Sequence, residues 1–246
     1  MTTRSPGAIR EHALPDPTSA HETSLNAVLR PLVFGANDGL VSNLALIMGV
    51  AGADPAPSVI VLAGIAGLIA GAFSMGVGEY ISVKSQRELL DYQIAFQRKQ
   101  LREVPDQERA ILERIYLDRG FTPEHAASFV DAVFDDDDHA VRQLIFEEVG
   151  LDERSIGSPL GAALGSFAAF TAGAFIPLLP YLIASGSVAF TASLLVSLVA
   201  LALLGFGISR LTRRSPVFSA VRQVVLGGVA AAVTFAVGRF VGVQMA

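Results

Sequence analysis

Asp38, Met75 and Glu79 are the residues of this chain best suited to hold a cation. Asp38 is the only ionisable group in the apolar run from Pro31 to Ala53. A carboxylate at membrane depth costs at least ~2.5–3.5 kcal/mol on the insertion scale, so such an acid points to function by default. A second apolar run, Ser58 to Ser82, carries Met75 and ends in Gly78-Glu79-Tyr80-Ile81-Ser82. One acid on each of two membrane helices, with a thioether beside the second, reads as a path for a metal cation. Thioether with carboxylate and carbonyl oxygens suits Fe²⁺ or Mn²⁺, whereas an all-oxygen cage would suit Mg²⁺ or Ca²⁺. Glu79 falls about one helical turn beyond Met75, where it serves as a ligand, a proton acceptor or simply an interfacial acid.

Each residue has a plainer reading. Asp38 has Asn37, Ser42 and Asn43 nearby in sequence, and an acid satisfied by them would matter only for folding. Met75 could be ordinary packing. The glycines in Gly35-Ala36-Asn37-Asp38-Gly39 would loosen the helix and expose carbonyls, as in the broken helices of transporters. The run Asp135–Asp138 before His139 is a solvated turn or an N-cap rather than an ion site, because four adjacent acids cannot all face one ion from a helix.

The elements that must position these residues are membrane helices. Hydrophobic residues make up 52% of the 246 and charged residues only 17%, against about a quarter charged in soluble domains. Five runs reach the ~20 residues a span requires: Pro31–Ala53, Ser58–Ser82, Pro159–Leu182, Val188–Ile208 and Phe218–Val241. Small residues stripe two of them. Gly161, Gly165, Ala169 and Gly173 recur every four residues on the third, and Gly64, Gly67, Gly71, Met75 and Gly78 share a stripe of the second. Such stripes let helices approach closely.

The chain has no cysteine, which excludes disulfides and thiolate metal centres. Residues 1–30 hold no apolar core of a cleavable signal peptide and read as a disordered cytoplasmic tail. No Glu-x-x-His pair, His-Glu-x-x-His helix, Gly-x-Ser-x-Gly elbow or phosphate loop occurs, so the chain does not read as an enzyme. The formal net charge is −5, and residues 83–157 hold 17 of the 23 acids against 10 basic residues. An acidic insert of that kind argues against nucleic-acid binding.

Lysines and arginines set an expected topology through the positive-inside rule. Arg30, Lys84 with Arg87, Arg154, and Arg210 with Arg213 and Arg214 all fall on one side if the N-terminus is cytoplasmic and the C-terminus outside; only Arg239 is misplaced. The expected fold is all-α: a five-span transmembrane bundle (31–82 and 158–246) with an acidic cytoplasmic helical domain, 83–157, between spans two and three. Within the insert, Val83–Val104 continues the second span until Pro105. Asp106 caps a second helix ending at Gly120, Thr122-Pro123 opens a third, and Asp138–Val149 forms the last.

Gly35-Ala36-Asn37-Asp38-Gly39, the stretch Phe73-Ser74-Met75-Gly76-Val77-Gly78-Glu79-Tyr80-Ile81-Ser82-Val83-Lys84-Ser85-Gln86, and Pro177-Leu178-Leu179-Pro180-Tyr181 together resemble the vacuolar iron transporter (VIT) family, from about Leu29 to Val241. The resemblance implies a homodimer that exports Fe²⁺, and often Mn²⁺, from the cytosol by proton exchange. It places Asp38 and Met75 on the translocation path, Glu79 at its cytoplasmic end, and metal-collecting glutamates, here Glu108 and Glu148, on the insert. The chain departs from the family pattern where first-helix glutamates fall on Gln97 and Gln100, and a Met and a Glu of the last helix fall on Leu144 and Ile145. That departure predicts weak metal binding by the insert and makes manganese a candidate equal to iron. The implied partners are membrane lipid, divalent metal and protons, with no resident cofactor, and a bacterial chain of this kind would sit in the plasma (inner) membrane. The rivals are a passive divalent-cation channel and a membrane-anchored metal sensor or scaffold.

Overall fold

The computed structural model describes residues 17–150 and 156–245. Eight helices follow one another: α1 Pro17–Gly52, α2 Pro57–Glu103, α3 Pro105–Asp118, α4 Pro123–Phe134, α5 Asp137–Val149, α6 Pro159–Ile183, α7 Gly186–Thr212 and α8 Pro216–Met245. No strand occurs among the described residues. α1, α2, α6, α7 and α8 each carry a stretch long and apolar enough to cross a membrane, and the chain is an integral membrane protein. Helix α1 begins well before the first expected span, inside the segment read as a disordered tail. The extension is continuous with a membrane helix, so it adds turns without a new nucleation cost. Residues 1–16 lie outside those described.

Helix α2 is one unbroken helix of 47 residues, about 70 Å long. Its first half is apolar and its second half polar, and the helix runs on through Val83–Glu103 as the sequence reading expected. α3 and α5 pack against that second half, and α4 packs on α3 and α5. Leu112, Tyr116, Val130, Val133 and Leu144 form one core, and Leu90, Val141 and Ile145 a second.

Local rules explain the boundaries. Thr122 accepts from the His125 amide, with Pro123 in the first turn, the preferred N-terminal chemistry. Gly120 and Gly150 take positive φ, 95° and 71°, where a side chain would be strained. Asp136 caps α5, its carboxylate accepting from the amides of Asp138 and His139 at 2.8 and 3.0 Å. Those bonds hold its carboxyl below the usual range. One expectation fails: α3 is not capped by Asp106. Pro105, which has no amide proton to satisfy, occupies its first turn and Val104 precedes it without a side-chain cap, so Asp106 falls inside the helix.

In the bundle, α1 lies between α6 and α8, α6 also packs on α2, and α7 closes on α8. The approach of α1 to α6 is backbone to backbone. A Cβ at Gly39 would fall on the carbonyl oxygen of Phe170, and one at Gly173 on that of Ala36. The Gly35–Gly39 segment therefore does not loosen. α1 is helical throughout it, and its glycines serve close packing instead. Leu40, Leu44, Ile47, Met48, Leu178 and Leu201 fill the core behind this seam.

Candidate functional site

Asp38 and Met75, 37 positions apart in sequence, line one cavity of about 280 Å³ between α1 and α2. Ser42, Asn43 and Leu46 on α1, Gly67, Gly71 and Ser74 on α2, and Phe170 on α6 complete it. The helical period puts Asp38, Ser42 and Leu46 on one stripe of α1, and Gly67, Gly71, Ser74 and Met75 on the facing stripe of α2. Gly71 is bare because the Phe170 ring lies where its Cβ would be.

Asp38 is half-buried and has no hydrogen-bond or ion-pair partner among the described residues. Two of the three neighbours that could have satisfied it, Asn37 and Asn43, are engaged elsewhere, and Ser42 lines the cavity with it. Asn37 Oδ1 accepts from Gln223 on α8 at 2.9 Å, and Asn43 Nδ2 donates to the Ala174 carbonyl at 2.6 Å. The reading of Asp38 as an internally satisfied folding residue therefore has no geometric support. Asn43, which sequence reasoning treated only as a possible partner of Asp38, is itself 2% exposed with an unpartnered Oδ1. Such an orphan costs about 1–3 kcal/mol. Its position five residues from Asp38 gave no sign that it would share the cavity.

Glu79 is half-buried and does not line this cavity. It lies one turn beyond Met75 on α2, toward the insert.

Glu108 and Glu148 meet in the insert, beside Gln97. Glu108, from α3, is 4% exposed and Gln97, from α2, 2%; Gln97 Nε2 donates to Glu148 Oε2 at 2.6 Å. Burial, and then the Glu148 carboxylate beside it, push the Glu108 carboxyl above its usual range. One oxygen each of Gln97 and Glu108 has no partner. The cluster thus offers two carboxylates and an amide. Leu144 and Ile145, at the positions where the resemblance expects ligands, are buried in the insert's cores instead.

Glu147, adjacent to Glu148, is spent on structure. Its side chain is 2% exposed and forms a two-pronged ion pair with Arg119. Tyr116 donates to it at 2.9 Å and Gln143 at 3.1 Å. Burial and this acceptor hold the Tyr116 hydroxyl up at about 12. The aspartate run is likewise engaged, Asp136 as a cap and Asp138 with Arg98 at 2.9 Å. Among the described residues no three His, Asp or Glu side chains converge as a metal cluster.

Five helices long and apolar enough to cross a membrane, three of which line a cavity holding a carboxylate and a thioether, define the class, an integral membrane protein. The sequence profile of the VIT family matches residues 29–239, and the chain belongs to that family. It is 31% identical to vacuolar iron transporter 1 of Oryza sativa subsp. japonica over 90% of this chain and 88% of that one. It is 30% identical to vacuolar iron transporter 1 of Arabidopsis thaliana over 91% and 90%. The protein of the same name from Eucalyptus grandis is 29% identical over 96% of both chains. All three are named as transporters, in keeping with the missing enzyme signatures.

Proposed function

We propose that this protein exports a divalent transition metal, Fe²⁺ or Mn²⁺, from the cytosol in exchange for protons. The observation that carries the reading is the meeting of an unpartnered Asp38 carboxylate and the Met75 thioether in one cavity. A carboxylate supplies the charge a divalent ion requires after losing water, and a thioether favours softer first-row ions over Mg²⁺. The names of the relatives support iron as cargo, and the neutral Gln97 and Gln100 in the insert keep manganese beside it.

In this reading the N-terminus and the insert face the cytosol, the C-terminus lies outside, and the acidic insert draws cations toward the bundle. The ion passes Glu79, is held by Asp38 and Met75, and is displaced when protons bind Asp38 or Glu79 from the far side. The relatives are named for the vacuole, and a bacterial chain would work in the plasma membrane; export from the cytosol has the same polarity across either membrane. The protein acts as a homodimer. The cavity lies beside α2, whose Leu62, Ile69, Phe73 and Val77 are exposed, and a second copy there would close it.

Proteoliposomes test the reading. Mn²⁺ or Fe²⁺ flux should depend on an imposed pH gradient and should move protons the opposite way. Flux indifferent to the gradient would replace the antiporter by a passive channel, and no flux at all would leave only a sensor or scaffold.

Met75→Leu should change selectivity more than stability. The swap nearly conserves volume and costs under ~1.5 kcal/mol, but removes the soft ligand. Uptake of Fe²⁺, Mn²⁺, Co²⁺ and Mg²⁺ at matched protein levels is the comparison; a proportional change in all four would make Met75 packing.

Gln97→Glu should turn the insert cluster into a metal site. A third carboxylate beside Glu108 and Glu148 raises like-charge repulsion in the absence of metal and completes a ligand set in its presence. The variant should melt lower than wild type in chelator and gain more from added Mn²⁺. Equal Mn²⁺-induced shifts in both proteins would rule this out.

A further inference from the structure

We propose that Asn43 forms a second, neutral station for the transported divalent cation, its amide oxygen receiving the ion beyond Asp38. The inference rests on the reading of the Asp38–Met75 cavity as the transport path. Asn43 lines the same cavity, five residues further along α1, about 7.5 Å. Helices α1 and α2 are antiparallel across it. Gly67, which faces Asn43, is therefore nearer the α1–α2 turn than Met75, and the new station lies on the side of the turn.

The orientation of the amide is not free. The Ala174 carbonyl can only accept, so the amino group must face it, as it does at 2.6 Å. Oδ1 is thereby turned the other way, toward α2. There it meets Gly67, where a Cβ would stand 2.9 Å from the oxygen. The tip of Leu46 stands closer still to that position, so a side chain at 67 would press on Leu46 and on the oxygen together. A buried amide oxygen with no partner, held by its own amino group and faced by a glycine, is built to accept from something that moves through the cavity.

Its chemistry suits a transit site. Amide oxygens are neutral hard ligands that bind Mn²⁺ and similar ions in place of water. A second carboxylate there would hold a divalent ion far more tightly and slow its release. An ion leaving the charged Asp38 for a neutral oxygen binds more weakly with each step, which lets it continue toward the turn.

The test is Mn²⁺ uptake kinetics in proteoliposomes, with Asp38→Asn run beside it. Asn43→Leu keeps the size and removes the oxygen together with the bond to Ala174; it should raise KM at least fivefold in protein that elutes as wild type does and melts a little lower. Asn43→Asp should move KM the other way and lower the maximal rate. A structural role for Asn43 predicts loss of stability or rate in both variants with KM unchanged, and that result would overturn the station. Should Asn43→Leu fail to fold, Gly67→Ala decides: shielding the oxygen should raise KM, and an unchanged KM counts against the station. Normal flux through Asp38→Asn would remove the path reading itself, whereas lost flux there with a wild-type KM in the Asn43 variants would remove only the second station.

Discussion

Asp38→Asn is expected to abolish metal flux while leaving the protein inserted and folded. The side chain has no hydrogen bond or ion pair to lose among the described residues, Asn37 being bonded to Gln223 and Asn43 to Ala174. The seam that holds α1 in place is made by Gly35, Gly39 and Gly173, none of which the substitution touches. The new amide keeps the size of the carboxylate, and removing a lone acid from an apolar helix makes insertion easier. Only the charge goes. Losing the charged partner of a desolvated ion costs about 2–5 kcal/mol, which is about 30- to 4,000-fold in affinity. Vesicle flux measured against wild type at equal incorporation is the readout; flux within twofold of wild type would end the role of Asp38 as the main ligand.

The spans were legible because membrane helices announce themselves by length and composition. The continuation of α2 beyond its apolar half was legible too, since Val83–Val104 contains helix formers and no proline. The glycines at 35 and 39 misled because a glycine permits both a loosened helix and a close approach. Which one obtains depends on what stands opposite, and here that is the backbone of α6, more than a hundred residues away in sequence. The same limit applies to the polar groups. Asp38 and Met75 could be named from their isolation among apolar residues, and the cavity brings them together. Glu147 and Glu148 look alike in sequence, yet Arg119, Tyr116 and Gln143 claim the first while Gln97 binds the second. Asn43 was hidden for a related reason: an asparagine near an acid suggests a local bond, and its actual acceptor is on another helix.

Gly39→Ala and Gly173→Ala should each cost more stability than any conservative change in the cavity. Both added methyl groups meet main chain rather than side chain: Phe170 carbonyl and the Ala174 amide for Gly39, Ala36 carbonyl and the Leu40 amide for Gly173. A rotamer change cannot relieve a contact with backbone, so α1 and α6 must move apart along their whole seam. Overpacking of this kind costs about 1–3 kcal/mol and sometimes more, and in a bilayer the lost close approach is not recovered by a hydrophobic drive between helices. At about 2–4 °C per kcal/mol for a chain of this size, the melting temperature should fall by roughly 2–12 °C. Gly78→Ala is the control. It lies on a membrane helix with nothing within 4 Å of the new Cβ, and alanine is the better helix former by about 1 kcal/mol, so it should melt at or slightly above wild type. The displaced seam also carries Asp38 and Asn43 away from α2, and metal flux should fall with stability in the two seam variants and not in the control. Thermal melts of the three proteins in the same detergent decide the matter: if Gly39→Ala and Gly173→Ala melt where Gly78→Ala does, the backbone contact between α1 and α6 is not what holds the path together.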